Sequence, residues 1–101
     1  GRLKETVAAL DERRVVITHG TDTMTDSASV LAAIPEKTIV LTGALSPARF
    51  SDSDATFNIG MAFAAAQTLP PGVYVAMNGR VFRGDEVKKD REQRRFVAKS
   101  E

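Results

Sequence analysis

A β-branched run, Val15-Val16-Ile17-Thr18, stops at His19-Gly20-Thr21-Asp22-Thr23, and a helical pattern opens at Met24. That order reads as strand, tight polar loop, helix. A strand without polar alternation suits a sheet covered on both faces. Such sheets are mostly parallel, with helices as crossovers. The loop at the carboxyl end of a parallel strand is where open α/β folds hold their ligands. Here two hydroxyls, an imidazole and a carboxylate stand within five residues.

The pattern recurs along the chain. Thr38-Ile39-Val40-Leu41-Thr42 is a second apolar strand, ending at Gly43-Ala44, and Val73-Tyr74-Val75-Ala76-Met77 is a third. Helices are expected between them, over Met24–Ile34 before Pro35 and over Ala55–Thr68 before Pro70-Pro71-Gly72. Thr23 and Asp54 are the expected N-caps. The second of these helices is apolar nearly all round, which predicts burial on most sides. Asn78-Gly79 is a strong hairpin signal, so Arg80-Val81-Phe82 should return as a short antiparallel strand.

The remaining segments are less regular. Leu3, Val7 and Leu10 fall on one face of an opening helix, preceded by neither an initiator methionine nor a leading strand. The chain therefore reads as the later part of a longer domain. A long polar loop from Leu45 to about Asp54 is expected to be functional or mobile. Beyond Arg83 the expectation is a turn near Asp85–Lys88 and then a poorly ordered tail, about residues 91–101. The fold class is α/β: a three-layer α/β/α domain over residues 1–101 with a mainly parallel sheet. Right-handed crossovers place the loops at His19–Thr23, at Gly43–Asp54 and from Asn78 onward on one rim.

Composition narrows the chemistry of that rim. A chain of 101 residues supports one modest core, burying roughly 65% of the surface its unfolded form exposes. With no cysteine and one histidine, disulfides, thiolate metal sites and a two-histidine zinc site within the chain are excluded. No metal and no cofactor are expected. A net charge of +1 points to neither nucleic acid nor membrane as partner. The basic residues from Arg80 to Arg95 are interleaved with acidic ones and read as a solvated tail. No apolar run reaches the length of a bilayer span, and no signal peptide is visible, so a cytoplasmic location is expected.

Thr21 and Asp22 stand where a strand hands over to a helix N-terminus, whose N–H groups favour a carboxylate or a developing oxyanion. A threonine hydroxyl becomes a nucleophile when a base takes its proton. Lys88 and Lys89 are the candidates for that base. Plain capping accounts for Thr21 and Asp22 equally well. His19 reads as a backbone-bonding side chain, since no Gly-x-Ser-x-Gly elbow accompanies it. Asp52-Ser53-Asp54-Ala55-Thr56 matches a phosphatase D-x-D-x-T pattern but lacks the apolar strand that should precede it. Phe57 and Phe63 occupy the glycine and glutamate positions that an EF-hand needs there.

Thr18-His19-Gly20-Thr21-Asp22-Thr23-Met24 resembles a signature of the bacterial-type L-asparaginases, which cut L-asparagine to aspartate and ammonia. Val40-Leu41-Thr42-Gly43-Ala44, Asp54 with Phe57-Asn58, Val75-Ala76-Met77-Asn78 and Asp85-Glu86-Val87-Lys88-Lys89 resemble further family segments. The likeness runs from about residue 14 to residue 90. It implies the Rossmann- or flavodoxin-like amino-terminal asparaginase domain. It also implies a catalytic set of Thr21, Asp22 and Lys89, with Gly20, Thr21, Asp22 and Ala44 binding the substrate. Lys89 aligns with the family lysine better than Lys88 does. Asp54 and Asn58 resemble structural positions. The implied partner is a small amide, L-asparagine or L-glutamine, and the chain is expected to form a homo-oligomer.

The resemblance makes Thr21 one of two family threonines at the scissile amide; the other signature, Thr-Gly-Gly-Thr-Ile, which supplies the threonine usually assigned as primary nucleophile, does not occur in this chain. Activity is therefore expected of the full-length protein, with this chain alone inactive. A non-catalytic binding domain and a glutaminase subunit of an amidotransferase are the alternatives.

Overall fold

The computed structural model describes residues 2–44, 54–90 and 95–99. The elements are α1 (Arg2–Ala9), β1 (Arg14–Thr18), α2 (Met24–Leu31), β2 (Thr38–Thr42), α3 (Ala55–Thr68), β3 (Gly72–Met77), β4 (Arg80–Arg83), β5 (Val87–Asp90) and β6 (Arg95–Ala98). Nearly all of the loop expected from Leu45 to Asp54, and with it Asp52 and Ser53 of the D-x-D-x-T stretch, lies outside the described residues.

β1 to β4 form one sheet in that spatial order. The first three strands are parallel and β4 runs antiparallel to β3. Thr18 pairs with Thr42 and Leu41 with Val75, so the three parallel strands end together on one rim. β2 lies between two neighbours and all five of its residues are buried. Its side chains alternate, as a strand requires. Ile39 and Leu41 join Met24, Ala28, Leu31, Val75 and Phe82 on one face of the sheet. Val40 joins Ala62, Ala65, Ala66 and Ala76 on the other. The result is the three-layer α/β/α arrangement, with α3 on one face and α2 on the other.

The reversal from β3 to β4 is made by Asn78 at φ 51° and Gly79 at φ 84°. Two consecutive positive φ values define the type I′ turn that Asn-Gly favours. At the opposite end of the sheet the ammonium of Lys37, buried beneath the α1–β1 connection, donates to the carbonyls of Leu10 and Glu12. This satisfies backbone acceptors left over beyond the end of α1.

Four local expectations change. α2 ends at Leu31 rather than Ile34, with turns carrying the chain to Pro35. Neither Thr23 nor Asp54 caps a helix through its side chain. The Asp54 carboxylate instead accepts from Asn58 Nδ2, one turn along α3. α3, expected to be buried on most sides, is buried on one: Asn58, Ala62, Ala65 and Ala66 face inward, while Phe57 and Phe63 are 61% and 54% exposed. Small side chains bring the helix backbone close to the sheet, which leaves the large ones pointing outward. β1, expected to be covered on both faces, is an edge strand whose Val15, Val16 and Ile17 are only half-buried.

The tail also departs from expectation. The expected turn falls at Gly84–Asp85, and within the stretch expected to be poorly ordered β5 and β6 pair as an antiparallel hairpin. Val87, Phe96 and Val97 are buried. Val87 and Phe96 join the core on the α2 side, an anchor that composition alone did not reveal.

Candidate active site

Strand geometry decides which lysine reaches the β1–α2 loop. Alternate residues of a strand face the same side. Val87 is buried in the core, so Lys89 is carried inward beside it while Lys88 is exposed. Lys89 Nζ lies 2.9 Å from Thr21 Oγ1 and 2.7 Å from Asp22 Oδ1. The Lys89 side chain is 15% exposed and that of Asp22 is 72% exposed. An ion pair open to water on its acidic side adds little stability. Its effect is to orient the ammonium at the hydroxyl. Lys88 lines a depression of about 260 Å³ alongside, with Asp22, Asp26 and Lys99.

A cleft of about 370 Å³ opens on the same rim, lined by Thr18, His19, Gly20, Gly43, Ala44 and Ile59 among others. The five residues singled out from sequence thus fall into two adjoining groups. Thr21, Asp22 and Lys89 are in contact, and Gly20 and Ala44 line the cleft between the ends of β1 and β2. Among the described residues no group of three or more histidine, cysteine, aspartate or glutamate side chains could hold a metal ion.

The cleft floor is held by close packing and by one buried amide. His19 N–H donates to the Thr42 carbonyl at 2.8 Å. A Cβ on Gly43 would stand 2.4 Å from the His19 carbonyl oxygen, a backbone atom with no freedom to yield. Gly43→Ala should therefore part the ends of β1 and β2 and cost about 2–3 kcal/mol. A urea midpoint unchanged from wild type would contradict that close approach. Asn58, fully buried, donates to the Gly43 carbonyl at 2.8 Å and accepts from Asn78 N–H at 2.9 Å. It ties the end of β2 to the turn after β3.

His19 makes the backbone bond anticipated for it, with Nδ1 2.7 Å from the Gly20 carbonyl oxygen. Its Nε2 meets Ser27 Oγ at 2.8 Å, a contact not foreseen from sequence. The one signal was a hydroxyl on the first full turn of α2, where a side chain can face back over the loop.

The amino-terminal asparaginase family model matches residues 2–100. The chain belongs to the asparaginase family. An L-asparaginase of Thermococcus kodakarensis is 38% identical over 78 residues, 74% of this chain and 24% of that protein. A glutamyl-tRNA(Gln) amidotransferase subunit of Methanococcus vannielii is 39% identical over 95 residues, 85% of this chain and 22% of that protein. The crystal structure of a "Probable Cytoplasmic L-asparaginase" from Campylobacter jejuni superposes with a TM-score of 0.85 at 33% identity. That match covers 96% of this chain and 33% of the other. This asparaginase-family chain therefore spans about a quarter of the length of the curated relatives it matches. No helix among the described residues is long and apolar enough to cross a membrane.

Proposed function

We propose that the protein carrying this chain is an amidohydrolase that releases ammonia from the side-chain amide of L-asparagine or a similar small amide. The observation that carries this is the Lys89 nitrogen set against the Thr21 hydroxyl, with Asp22 on the same nitrogen. When its amine is neutral, Lys89 takes the Oγ1 proton as Thr21 Oγ1 attacks the amide carbon. Asp22 then stabilises the ammonium so formed. The ammonium returns the proton to the departing nitrogen, ammonia leaves, and water hydrolyses the threonyl ester. Gly20 and Ala44 would line the space for the substrate.

The test is ammonia release from L-asparagine and from L-glutamine by the whole protein. Lys89→Met should lower kcat by roughly 10²–10⁴-fold. Lys89→Arg should not restore it, because a guanidinium does not give up its proton in proteins. Turnover that survives Lys89→Met would remove Lys89 as the base.

The similarity to the Methanococcus vannielii amidotransferase protein supports a second reading, in which L-glutamine supplies the ammonia within a tRNA-dependent amidotransferase. Preference for glutamine over asparagine in the same assay selects it. A cytoplasmic location and a homo-oligomer belong to the proposal too. The name of the Campylobacter jejuni protein supports the first, and the outward-facing Phe57 and Phe63 support the second.

A further inference from the structure

The turn between β3 and β4 brings together two residues that can react with each other. The chain has two asparagines, Asn58 and Asn78, and only Asn78 precedes a glycine. Asn78 and Gly79 are both exposed. Gly79 has no side chain to shield its nitrogen, so that nitrogen can bond to Cγ of Asn78. Base takes the Gly79 N–H proton, the Cγ–Nδ2 bond breaks, and the proton returns through solvent to the nitrogen that leaves as ammonia. The product is a five-membered succinimide. Water adds to one of its two carbonyls and opens it, to aspartate or to isoaspartate, whose main chain runs through Cβ.

The folded turn holds this reaction off. In the succinimide the Gly79 nitrogen lies on the same side of the Asn78 Cα–C bond as Cβ. With φ 51° at Asn78 and 84° at Gly79 the turn is type I′, and its first central residue has ψ of about 30°. On an L-residue at that ψ the next nitrogen points away from Cβ. The Asn78 ψ must swing before the ring can close, and that opens the turn. Pairing of Met77 with Arg80 and of Ala76 with Val81 resists the opening. So does the Asn78 N–H, which donates to Oδ1 of the buried Asn58 at 2.9 Å. Asn58 is itself protected: its backbone is held in α3, its amide nitrogen donates to the Gly43 carbonyl, and the β-branched Ile59 follows it.

We propose that Asn78-Gly79 is a site of spontaneous deamidation and backbone isomerisation, and that Asn58 sets its rate by holding the turn shut. Only the opened turn reacts, so the observed rate follows the open population. The inference goes beyond the amidohydrolase reading and needs no assignment of active-site residues. Its consequence reaches the cleft. Isoaspartate adds one carbon to the main chain of the turn, which no longer matches the type I′ geometry that the two strands require. The N–H of residue 78 then leaves Asn58. Asn58 is also the residue that holds the Gly43 carbonyl at the cleft. Damage at the turn thus loosens the end of β2.

The test holds the whole protein at mildly alkaline pH and follows the mass gain of deamidation, assigned to its residue by fragmentation. An isoaspartate-specific methyltransferase reads the isomerised product. Wild type should change at residue 78 and not at Asn58. Asn58→Leu removes the acceptor and should raise the rate roughly 10-fold. Val7→Ala is the control. Val7 is buried on the α2 face of the sheet, so its loss weakens the fold without touching the bond between Asn58 and Asn78. Its rate should stay within about 3-fold of wild type. No change at residue 78 in any of the three proteins, or equal acceleration in the two variants, would overturn the proposal.

Where Asn58→Leu does not fold, wild type in sub-denaturing urea decides the same point. The deamidation rate should rise in step with hydrogen exchange of the Asn78 amide, and a rate indifferent to that exchange counts against Asn58 as the guard. Asn78→Gly tests the link to the cleft, because Gly-Gly keeps the type I′ turn and cannot form the succinimide. After the same incubation the Gly43 and Ala44 amides should exchange faster in the modified wild type and unchanged in Asn78→Gly. Equal protection before and after modification would remove the link.

Discussion

Replacing Thr21 with alanine is expected to lower ammonia release from L-asparagine by roughly 10³-fold or more in the whole protein. The substitution removes the oxygen that Lys89 addresses at 2.9 Å and leaves the contact of Lys89 with Asp22 at 2.7 Å in place. Thr21 is half-buried and lies in a loop, so the fold should survive, with stability changed by no more than about 1 kcal/mol. A large loss of rate with little loss of stability separates a chemical role from a structural one. Thr21→Ser keeps the hydroxyl and should retain turnover within about 10-fold. The check is steady-state ammonia release for the three proteins beside their urea unfolding curves. Undiminished turnover in Thr21→Ala would place the nucleophile elsewhere.

The largest effect on stability is expected at Asn58. Its side chain is fully buried at the junction of α3, β2 and the β3–β4 turn. Nδ2 donates to the Gly43 carbonyl at 2.8 Å and to Asp54 Oδ2 at 3.1 Å, and Oδ1 accepts from Asn78 N–H at 2.9 Å. Leucine is close in volume but offers no donor or acceptor. Asn58→Leu therefore strands a carbonyl and an N–H that this fold keeps from bulk water, each worth about 1–3 kcal/mol. Part of that is recovered from water at the exposed Asn78, so a net loss of about 2–4 kcal/mol is expected. Set against a typical total of about 5–15 kcal/mol, this is a large share. The urea midpoint should fall with its slope unchanged. A midpoint shift near zero would mean that the end of β2 and the Asn78 turn are held by packing alone.

Asn58 also links stability to the cleft. Gly43 and Ala44 lie on its rim, and Gly43 is the residue that Asn58 holds. A variant at Asn58 should thus disturb a cleft that it does not itself line. Gly43→Ala acts on the same junction from the other side, by pushing against the His19 carbonyl. The two substitutions share partners, so their costs should not simply add.

Local sequence determined the elements and their order. Val15–Thr18, Thr38–Thr42 and Val73–Met77 are apolar runs bounded by glycine, proline and polar turns, and each is a strand within one residue of its expected start. Asn78-Gly79 specified its own turn because few other residue pairs tolerate two positive φ values. The meeting of three strand ends on one rim followed from parallel pairing and crossover handedness, which are properties of backbone geometry.

Tertiary structure decided what depends on neighbours distant in sequence. Lys88 and Lys89 are equivalent in composition; burial of Val87 beneath α2 sets the face of β5 and turns Lys89 toward Thr21, 68 residues away. The tail reads as poorly ordered because its apolar residues are few, and their value appears only when Val87 and Phe96 meet the core of the α2 layer. α3 reads as buried on most sides because hydrophobicity does not say which side a helix presents. The alanines face the sheet because only small side chains allow that close an approach, and Phe57 and Phe63 are left outside. Thr23 and Asp54 have capping side chains by type, but capping requires a backbone angle and a direction that residue type alone does not fix. The sequence named the groups on the rim; the packing of β5 and the bonds of Asn58 and His19 set their distances, because side-chain contacts between separate elements are fixed only when the layers close on one core.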